Sequence, residues 1–369
     1  MKAFFLTENL QKKLPYLGHA ISPRSQLPIL GNFLLETKKG KIKISATDLE
    51  IGIVSTLPAS VEREGEVTVP ARTFSDLLQS ISEGKIEMGT KDSILNLKGS
   101  KIEANFQTMS SDDYPKIIEE KGEKIGEFNM ESLIKEFQKV VFSASTDTGR
   151  ANLSGVLIKK DGKSFSLVAT DGYRLSLKTK FSIKSGGQAF DKILIPSRVI
   201  RELLAIKEEV ENIEVFVSKK TNQIIFSLGD TTLVGRLIEA EYPAYEKIIP
   251  SDFSTKAEFI RQDLLDAVKI CSVFARETAN IIRFSLKKDK LVVSANTPSV
   301  GDDMAEVDAK ITGEENEIAF NARYLLDILS CLDEEEMVFE MSGPLSPGVF
   351  KIKNDPTFLH LIMPIRVQE

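Results

Sequence analysis

The sequence has few of the residues on which metal centres and many enzyme active sites depend. Tryptophan is absent, and the 369 residues include only two cysteines and two histidines. Neither His19 nor His360 has a cysteine, an aspartate or a second histidine at the spacing of a zinc site or a catalytic triad. We interpret both histidines as structural or surface residues, and we expect no metal and no cofactor. Cys271 and Cys331 cannot form a disulfide framework, which agrees with a reducing compartment.

Other common features are also missing. Neither of the two usual glycine-rich phosphate-binding motifs occurs, and no apolar run approaches the roughly 18 to 20 residues of a membrane helix. Strong positive charge is absent as well, because 48 lysines and arginines face 54 aspartates and glutamates, giving a net charge of −6. Such a chain repels phosphate backbones, which excludes a tight duplex binder of the basic kind. We expect a soluble intracellular protein that could hold DNA only through a local basic surface or through its shape.

The chain does contain a repeat. Similar segments recur at intervals of about 125 residues, which is the usual size of one domain. One marker is Ala46–Asp48, which recurs as Ala169–Asp171 and more weakly as Ala295-Asn296. A second marker, ending in arginine, occurs at Pro70–Arg72, Pro196–Arg198 and Asn321–Arg323. The repeats predict three domains, at residues 1–122, 123–249 and 250–369.

The hydrophobic spacing within each repeat changes between periods of two and 3.6 residues. This pattern predicts an α+β fold in which two helices of each repeat pack on antiparallel sheets. The predicted helices are residues 8–19, 73–82, 131–142, 197–207, 262–276 and 322–333. Pro15 should kink the first helix, and Thr73 with Asp76 predicts a capping box for the second. Three similar domains could also close into a ring by head-to-tail contacts, alone or with a second chain.

The segment Ala169–Arg174 looks the most catalytic, because an exposed pair of Asp171 and Arg174 could act as acid and base. The alternative is that Asp171-Gly172 forms a tight turn between strands. Asp48 has the same position in the first repeat, which favours the turn, since an active site needs no second copy. Cys271 and Cys331 lie on the apolar stripes of predicted helices, so we interpret them as core residues. A hydrolase using Asp171 and a scaffold that binds only peptides remain the alternatives to a ring around DNA.

Several motifs in order resemble those of one family over the whole chain: the sliding clamps of bacterial DNA polymerase III, its beta subunits. The motifs are Leu27–Asn32, Ala46–Glu50, Val69–Arg72, Ala169–Leu175 and Met363–Val367. The resemblance implies three clamp domains per chain and a head-to-tail homodimer, whose six domains form a ring with twelve helices lining a channel around duplex DNA. It implies a processivity factor without catalytic residues, located in the cytoplasm at the nucleoid. The implied partners are double-stranded DNA, the polymerase III alpha subunit, the clamp loader, and other polymerases and repair proteins.

The resemblance also implies a hydrophobic pocket, formed by the second and third domains, where short linear motifs of partners insert an apolar side chain. Tyr173 replaces a frequent histidine of the family, and Lys247 replaces a frequent arginine, so the preferred motif is open. The matching positions are Leu153, Thr170, Gly172, Tyr173, Arg174, Leu175, Pro243, Lys247, Ile248, Asn321, Tyr324, Leu345, Leu361, Ile362, Met363, Pro364, Ile365 and Arg366.

Two further sets of residues follow from the same resemblance. Arg24, Arg150 and Arg276 would contact DNA phosphates. Phe106, Val273 and Phe274 would lie at the dimer interface, with simple core packing as the alternative. The apolar segment Phe358–Val367 supports the pocket independently, because a stretch of this composition must be buried or bind something.

Overall fold

The computed structural model describes residues 1–22, 26–82, 84–118, 120–147, 149–162, 164–182, 190–277, 279–298 and 300–366. The helices are α1 (Thr7–Gln11), α2 (Leu14–His19), α3 (Ala71–Ser80), α4 (Met130–Val141), α5 (Ser197–Ala205), α6 (Arg261–Ala275) and α7 (Ala322–Cys331). Short 3₁₀ turns cover Pro28–Gly31, Ala151–Leu153 and Tyr245–Ile248. Within these ranges, no helix is both long enough and apolar enough to cross a membrane.

Most of the chain is β-structure. The strands of the first repeat are β1 (Lys2–Leu6), β2 (Asn32–Lys38), β3 (Lys41–Thr47), β4 (Ile51–Pro58), β5 (Ser60–Arg63), β6 (Gly65–Pro70), β7 (Lys85–Lys91), β8 (Ile94–Lys98) and β9 (Glu103–Gln107). Those of the second are β10 (Glu123–Asn129), β11 (Gly155–Asp161), β12 (Ser164–Thr170), β13 (Arg174–Ser182), β14 (Lys192–Pro196), β15 (Asn212–Ser218), β16 (Gln223–Leu228) and β17 (Thr231–Arg236). Those of the third are β18 (Thr255–Ile260), β19 (Ile281–Lys287), β20 (Lys290–Thr297), β21 (Gly301–Gly313), β22 (Asn316–Asn321), β23 (Glu336–Met341), β24 (Gly348–Ile352) and β25 (Asp355–Ile362).

The strands pair antiparallel throughout the described ranges, as the alternating hydrophobic pattern predicts. Strand β3 shows why: Ile42 and Ile44 face the core, while Lys41 and Lys43 are more exposed. Together with seven helices in the same ranges, this confirms the predicted α+β class.

The contacts divide the chain into two compact units, and the middle repeat contributes to both. The first unit includes Met1–Ser132 and Arg198–Leu237, and the second includes Leu133–Ser182, Asp191–Ser197 and Ile238–Glu369. This division differs from the three repeats because main-chain pairing joins strands of successive repeats. The domain boundaries taken from the repeats therefore stay a prediction.

The first unit contains two sheets. One has the order β5-β1-β7-β8-β9, and the other has the order β10-β15-β16-β17-β4-β3-β2-β6. In the eight-stranded sheet, β17 of the second repeat pairs with β4 of the first, with Gly235 opposite Ile51. Helix α3 packs its buried Phe74 and Leu78 inward. The sheet thus continues from one repeat into the next, and most residues of β4 and β17 at this junction are buried.

The second unit contains one sheet of twelve strands, in the order β14-β11-β12-β13-β25-β24-β23-β18-β21-β20-β19-β22. Strand β13 of the second repeat pairs with β25 of the third. The core of the third repeat holds Phe284, Phe320, Phe339 and Phe350, with ring centroids 4.8 to 6.2 Å apart in the contacting pairs. These distances suit tilted and edge-to-face aromatic pairs, so this cluster stabilises the repeat beyond simple burial.

The predicted helices are found near their predicted positions, with two differences. The first consists of α1 and α2, and Pro15 lies in the first turn of α2, where a missing N–H costs nothing. The predicted capping box is wrong: α3 begins at Ala71, its N-cap is Pro70, and no side chain caps it. Thr73 already lies inside the helix and is therefore too late in the chain to cap it.

A buried cation lies at the pairing of β13 with β25. Lys178 is 7% exposed, and its Nζ donates to Asp355 Oδ2 at 2.6 Å and lies 3.5 Å from Glu136 Oε2. Burial acts to raise the pKa of Asp355, but the hydrogen bonds from Lys178 and Thr357 outweigh it and lower that pKa below its ordinary value. The ionised carboxylate therefore stabilises the folded state.

We predict that Asp355→Asn destabilises the protein at neutral pH by about 3 kcal/mol, because it leaves the buried Lys178 with only Glu136, at 3.5 Å, as its carboxylate partner. Because the pKa of Asp355 is lower in the folded state, the stabilisation is present above the unfolded value near 3.8 and is lost as the pH falls through the folded value. Urea unfolding at several pH values measures this. The loss in the free energy of unfolding should be smaller at acidic pH. The double variant with Lys178→Met should recover part of that free energy.

The matched control is Glu306→Gln, which removes an exposed ion pair with Lys290 at 2.5 Å and should change the stability little. Equal losses for Asp355→Asn and Glu306→Gln would contradict the role of the buried pair.

Candidate functional site

The segment Thr170–Arg174 forms a tight turn between β12 and β13. Thr170 Oγ1 donates to the carbonyl of Arg174 at 2.6 Å and accepts the N–H of Gly172 at 3.0 Å. Asp171 Oδ1 accepts the N–H groups of Tyr173 and Arg174 at 2.9 and 3.0 Å. Gly172 has φ +92°, a conformation that favours glycine. The turn holds Tyr173 outward, with 59% of its surface exposed.

Arg174 is held on all sides. Its Nε donates to Asp171 Oδ2 at 3.0 Å, its Nη1 donates to Asp327 Oδ2, and its Nη2 donates to the carbonyl of Phe142 at 2.8 Å. The guanidinium also lies over the rings of Tyr324 and Phe142, at 4.6 and 5.6 Å. Arg174 is therefore fixed between two carboxylates and two aromatic rings. Its charge is compensated within the protein, and its role in the site is structural.

The end of β25, which pairs with β13, forms the second part of the site. Leu175 pairs with Leu361, and both side chains are buried. Beyond the strand, the N–H of Met363 donates to the carbonyl of Tyr173 at 2.8 Å, and the N–H of Ile365 donates to the carbonyl of Ala319 at 2.8 Å. The chain is thereby fixed along its main chain, while the side chain of Met363 stays partly exposed.

The third part of the site is the 3₁₀ turn at Tyr245–Ile248. The carbonyl of Pro243 accepts the N–H of Tyr245 at 2.8 Å, and the Tyr245 ring is buried in a cluster with Leu175 and Leu361. Ile248 lies at the end of this turn and is 44% exposed, and Lys247 is also exposed. The turn therefore exposes the apolar Ile248 and the cationic Lys247, while the buried Tyr245 holds the turn in place.

The positions expected for the pocket thus fall into two groups. The buried group is Leu153, Thr170, Arg174, Leu175, Leu361 and Ile362, and the half-buried group beside it is Asn321, Tyr324, Pro364 and Ile365. The exposed group is Gly172, Tyr173, Pro243, Lys247, Ile248, Leu345, Met363 and Arg366. Asn321 has a local role, since its side chain accepts the N–H of Arg323 and caps α7. The exposed group presents the most surface to a partner, and the half-buried group presents less.

Arg150, expected to contact DNA, lies beside this turn. Its Nη2 donates to the carbonyl of Asp171, and the same atom is 2.7 Å from where a Cβ on Gly172 would be. Sequence reasoning also missed Asp327, the partner of Arg174. The available signal was its spacing of three from Tyr324 in α7, which places both on one helical face.

The other residues expected to contact DNA give less information. Arg24 lies outside the described residues, and Arg276 is exposed directly after α6. The roles of Arg24, Arg150 and Arg276 in DNA contact stay predictions.

The residues expected at the dimer interface differ in exposure. Phe106 is 7% exposed in β9 and packs edge-on against Phe74 at 5.7 Å, as the alternative of core packing expects. Val273 on α6 is 57% exposed, and Phe274 is partly buried against the core of the third repeat. These residues do not form one exposed patch by themselves, and their role at an interface stays a prediction.

The histidines and cysteines have structural surroundings. His360 is fully buried, its Nδ1 lies 2.8 Å from Ser176 Oγ, and burial followed by the Arg174 charge lowers its pKa well below the ordinary value. His19 lies on the surface and contacts Glu202 at 2.7 Å. Burial raises the pKa of both Cys271 and Cys331 to about 12, so neither thiol is a reactive thiolate at neutral pH.

We predict that Gly172→Ala destabilises the protein by about 2 kcal/mol, because a Cβ is strained at this φ and displaces Arg150 from the carbonyl of Asp171. Gly162→Ala is the matched control: its φ is +61°, but nothing lies within 4 Å of its Cβ position. It should lose only about 1 kcal/mol in urea unfolding. In an Arg150→Ala background the difference should vanish, and a persistent difference would contradict this contact.

Comparison with known proteins identifies the family. Three domain models of the DNA polymerase III beta subunit match: the N-terminal domain at residues 1–118, the central domain at 127–244 and the C-terminal domain at 246–366. The beta sliding clamp of Synechocystis sp. is 30% identical over 391 residues, with all of both chains covered. Among solved structures, the sliding clamp of Bacillus subtilis has a TM-score of 0.94 at 25% identity, with both chains fully covered. A sliding clamp from Pseudomonas aeruginosa bound to griselimycin has a TM-score of 0.93 at 25% identity, also with both chains fully covered. The chain therefore belongs to the DNA polymerase III beta subunit family.

Proposed function

We propose that this protein is a DNA sliding clamp that encircles duplex DNA and tethers the replicative polymerase and other DNA-processing proteins for processive synthesis. The observation that carries the proposal is the match of all three repeats, in order, to the three domains of the beta subunit. The net charge of −6 agrees with it, because a ring that slides must hold DNA by enclosure and bind phosphates weakly.

The ring in this proposal is a head-to-tail homodimer of six domains, with the interface residues Phe106, Val273 and Phe274 at or near its seams. Two unpaired strand edges in the described residues support it. Strand β9 is the last strand of its five-stranded sheet, and Gly301–Asp308 of β21 pairs with β20 on one side only. Exposed edges of this kind are templates for pairing with another chain, so β9 of one copy can pair with β21 of the next. Phe106 would then stabilise the edge strand from within its own core.

The partner site in this proposal is the hydrophobic pocket built by the second and third repeats, with the eighteen positions named above. Its exposed apolar side chains, Tyr173, Ile248, Leu345 and Met363, can receive the apolar residues of a short linear motif. Lys247 and Arg366 lie among these segments and can orient the motif. A structural relative from Pseudomonas aeruginosa binds griselimycin, which supports a ligand site on clamps of this fold. Expected users are the polymerase III alpha subunit, the clamp loader, and other polymerases and repair proteins.

We assign no catalytic residue to the chain and place its work in the cytoplasm at the nucleoid. The hydrolase alternative required a reactive Asp171. Both of its carboxylate oxygens are occupied by the turn, through Tyr173 and Arg174. This carboxylate therefore has a local structural role that the repeat at Asp48 shares.

We predict that Met363→Ala with Arg366→Ala abolishes binding of a polymerase-derived peptide and leaves the dimer intact. Each substitution should weaken binding about tenfold, because Met363 presents apolar surface and Arg366 an exposed charge. Fluorescence anisotropy measures the affinity, and analytical ultracentrifugation measures the dimer. The matched control is Met109→Ala with Arg72→Ala, which truncates a comparably exposed pair in the first repeat. Unchanged peptide affinity in the first double variant would remove this pocket.

We predict that Arg24→Ala with Arg276→Ala weakens duplex binding at low salt without changing the fold. Each lost phosphate contact should lower the slope of log affinity against log salt by about 0.9. Arg150→Ala tests separately whether that arginine contacts DNA or only supports the Thr170–Arg174 turn. Arg283→Ala is the control, because Arg283 is exposed on strand β19, outside the helices and outside the expected DNA set. A salt slope equal to that of the unaltered protein would reject Arg24 and Arg276 as phosphate contacts.

A further inference from the structure

The first repeat contains a second copy of the turn that builds the partner site. Thr47 Oγ1 donates to the carbonyl of Ile51 at 2.8 Å and accepts the N–H of Leu49 at 3.0 Å. Asp48 Oδ1 accepts the N–H groups of Glu50 and Ile51 at 3.0 and 2.8 Å. Each of these bonds has a counterpart in the turn Thr170–Arg174. The two segments are therefore the same structural device and not merely similar sequences.

The chain that runs against the turn is also repeated. The N–H of Arg236, at the end of β17, donates to the carbonyl of Glu50 at 2.9 Å. In the partner site, the N–H of Met363 donates to the carbonyl of Tyr173 at 2.8 Å. Arg236 thus has the position of Met363, and Glu50 has that of Tyr173. The main-chain hydrogen bonds around the turn of the partner site, which we call its frame, therefore occur twice in the chain.

The copy in the first repeat carries an exposed apolar side chain at a strained position. Leu49 has φ +79°, where the partner site has Gly172 at φ +92°, and 53% of Leu49 is exposed. A leucine in the left-handed region costs free energy that a glycine would not. Its side chain buries little in return. An apolar group held toward solvent at such a cost suits contact with another molecule.

Apolar residues of the segment after Tyr114 lie beside the turn Thr47–Ile51. Ile117 packs on β4, so closely that a Cβ on Gly52 would lie 2.3 Å from Ile117 Cγ2. The next residue, Ile118, is 37% exposed. Leu49 in the turn and Ile118, which follows Ile117 in the chain, are therefore both exposed apolar side chains.

The unpaired charge at this surface is positive. Arg198 Nη1 lies 2.6 Å from Asp48 Oδ2 and 3.6 Å from Glu50 Oε2, so both acidic groups of the turn are compensated. Arg236 and Lys116 are exposed, and no acidic group in the described part of the chain lies within 4.0 Å of either cation. A carboxylate supplied by a binding partner would complete the charge balance.

We propose that the turn Thr47–Ile51 and Arg236 form a second docking site for an extended peptide. Its apolar side chain packs on Leu49, and an adjacent carboxylate pairs with Arg236. The inference rests on the proposed peptide site of the second and third repeats, whose frame it repeats. Each chain then binds two linear segments, and a homodimer binds four.

The test uses a fluorescein-labelled twelve-residue peptide with two leucines, one phenylalanine and two aspartates, titrated into the full-length protein. Wild-type protein should bind two peptides per chain, the second with a Kd on the order of 10⁻⁴ M. Leu49→Gly with Arg236→Gln should reduce the stoichiometry to one and weaken the second association about tenfold or more. Leu49→Gly suits its positive φ, so the melting temperature should not fall.

Arg72→Gln is the control, since it removes another exposed arginine at a place outside both turns and should leave two bound peptides. A peptide with lysines in place of both aspartates should lose the second association. The second site would be overturned, and the first kept, if the unaltered protein bound one peptide per chain, Leu49→Gly with Arg236→Gln left that number unchanged, and Met363→Ala with Arg366→Ala abolished binding. No binding by any variant would reject the proposed function as well.

Discussion

Main-chain pairing between strands of successive repeats sets the geometry of the two Thr-Asp turns on which both proposed binding sites depend. Strand β17 of the second repeat pairs with β4 of the first, and β25 of the third pairs with β13 of the second. Each pairing ends beside a turn that begins with Thr-Asp. An N–H at the end of the incoming strand then donates to a carbonyl of that turn, from Arg236, the last residue of β17, in one case and from Met363, directly after β25, in the other. Because backbone bonds set this geometry, it persists while the side chains around it differ.

The two turns satisfy the second oxygen of their aspartate in different ways, and the surroundings of the two turns differ accordingly. Asp171 uses Arg174 of its own turn, which is buried between Phe142 and Tyr324 and also held by Asp327. Asp48 instead uses Arg198, which belongs to α5 and is 43% exposed at its side chain. A buried arginine bonded to two carboxylates holds the neighbouring aromatic rings in place. An exposed arginine leaves the surface around it accessible to solvent.

Much of the fold could be predicted from the sequence, because the repeat interval and the hydrophobic periods depend on local patterns. The break between α1 and α2 agrees with Pro15, which is disfavoured inside a helix but fits its first turn, a property of one residue. The expected capping box at Thr73 failed because helix α3 begins two residues earlier, and helix ends depend on the loop that enters them. The expected DNA contact of Arg150 came from the resemblance to the clamp family, whereas its bond to the carbonyl of Asp171 arises only when two segments of the folded chain meet. Pairwise geometry of that kind is invisible in one sequence.

The proposed ring combines two kinds of contact that respond differently to salt. Closure depends on strand edges such as β9 and Gly301–Asp308, where backbone hydrogen bonds and apolar packing are nearly insensitive to ionic strength. Contact with DNA depends on a few cations, and each phosphate contact weakens steeply as salt rises. A chain with net charge −6 cannot compensate for that loss by general attraction. The ring should therefore stay closed under conditions in which its grip on the phosphates is already weak, and enclosure then requires no tight binding.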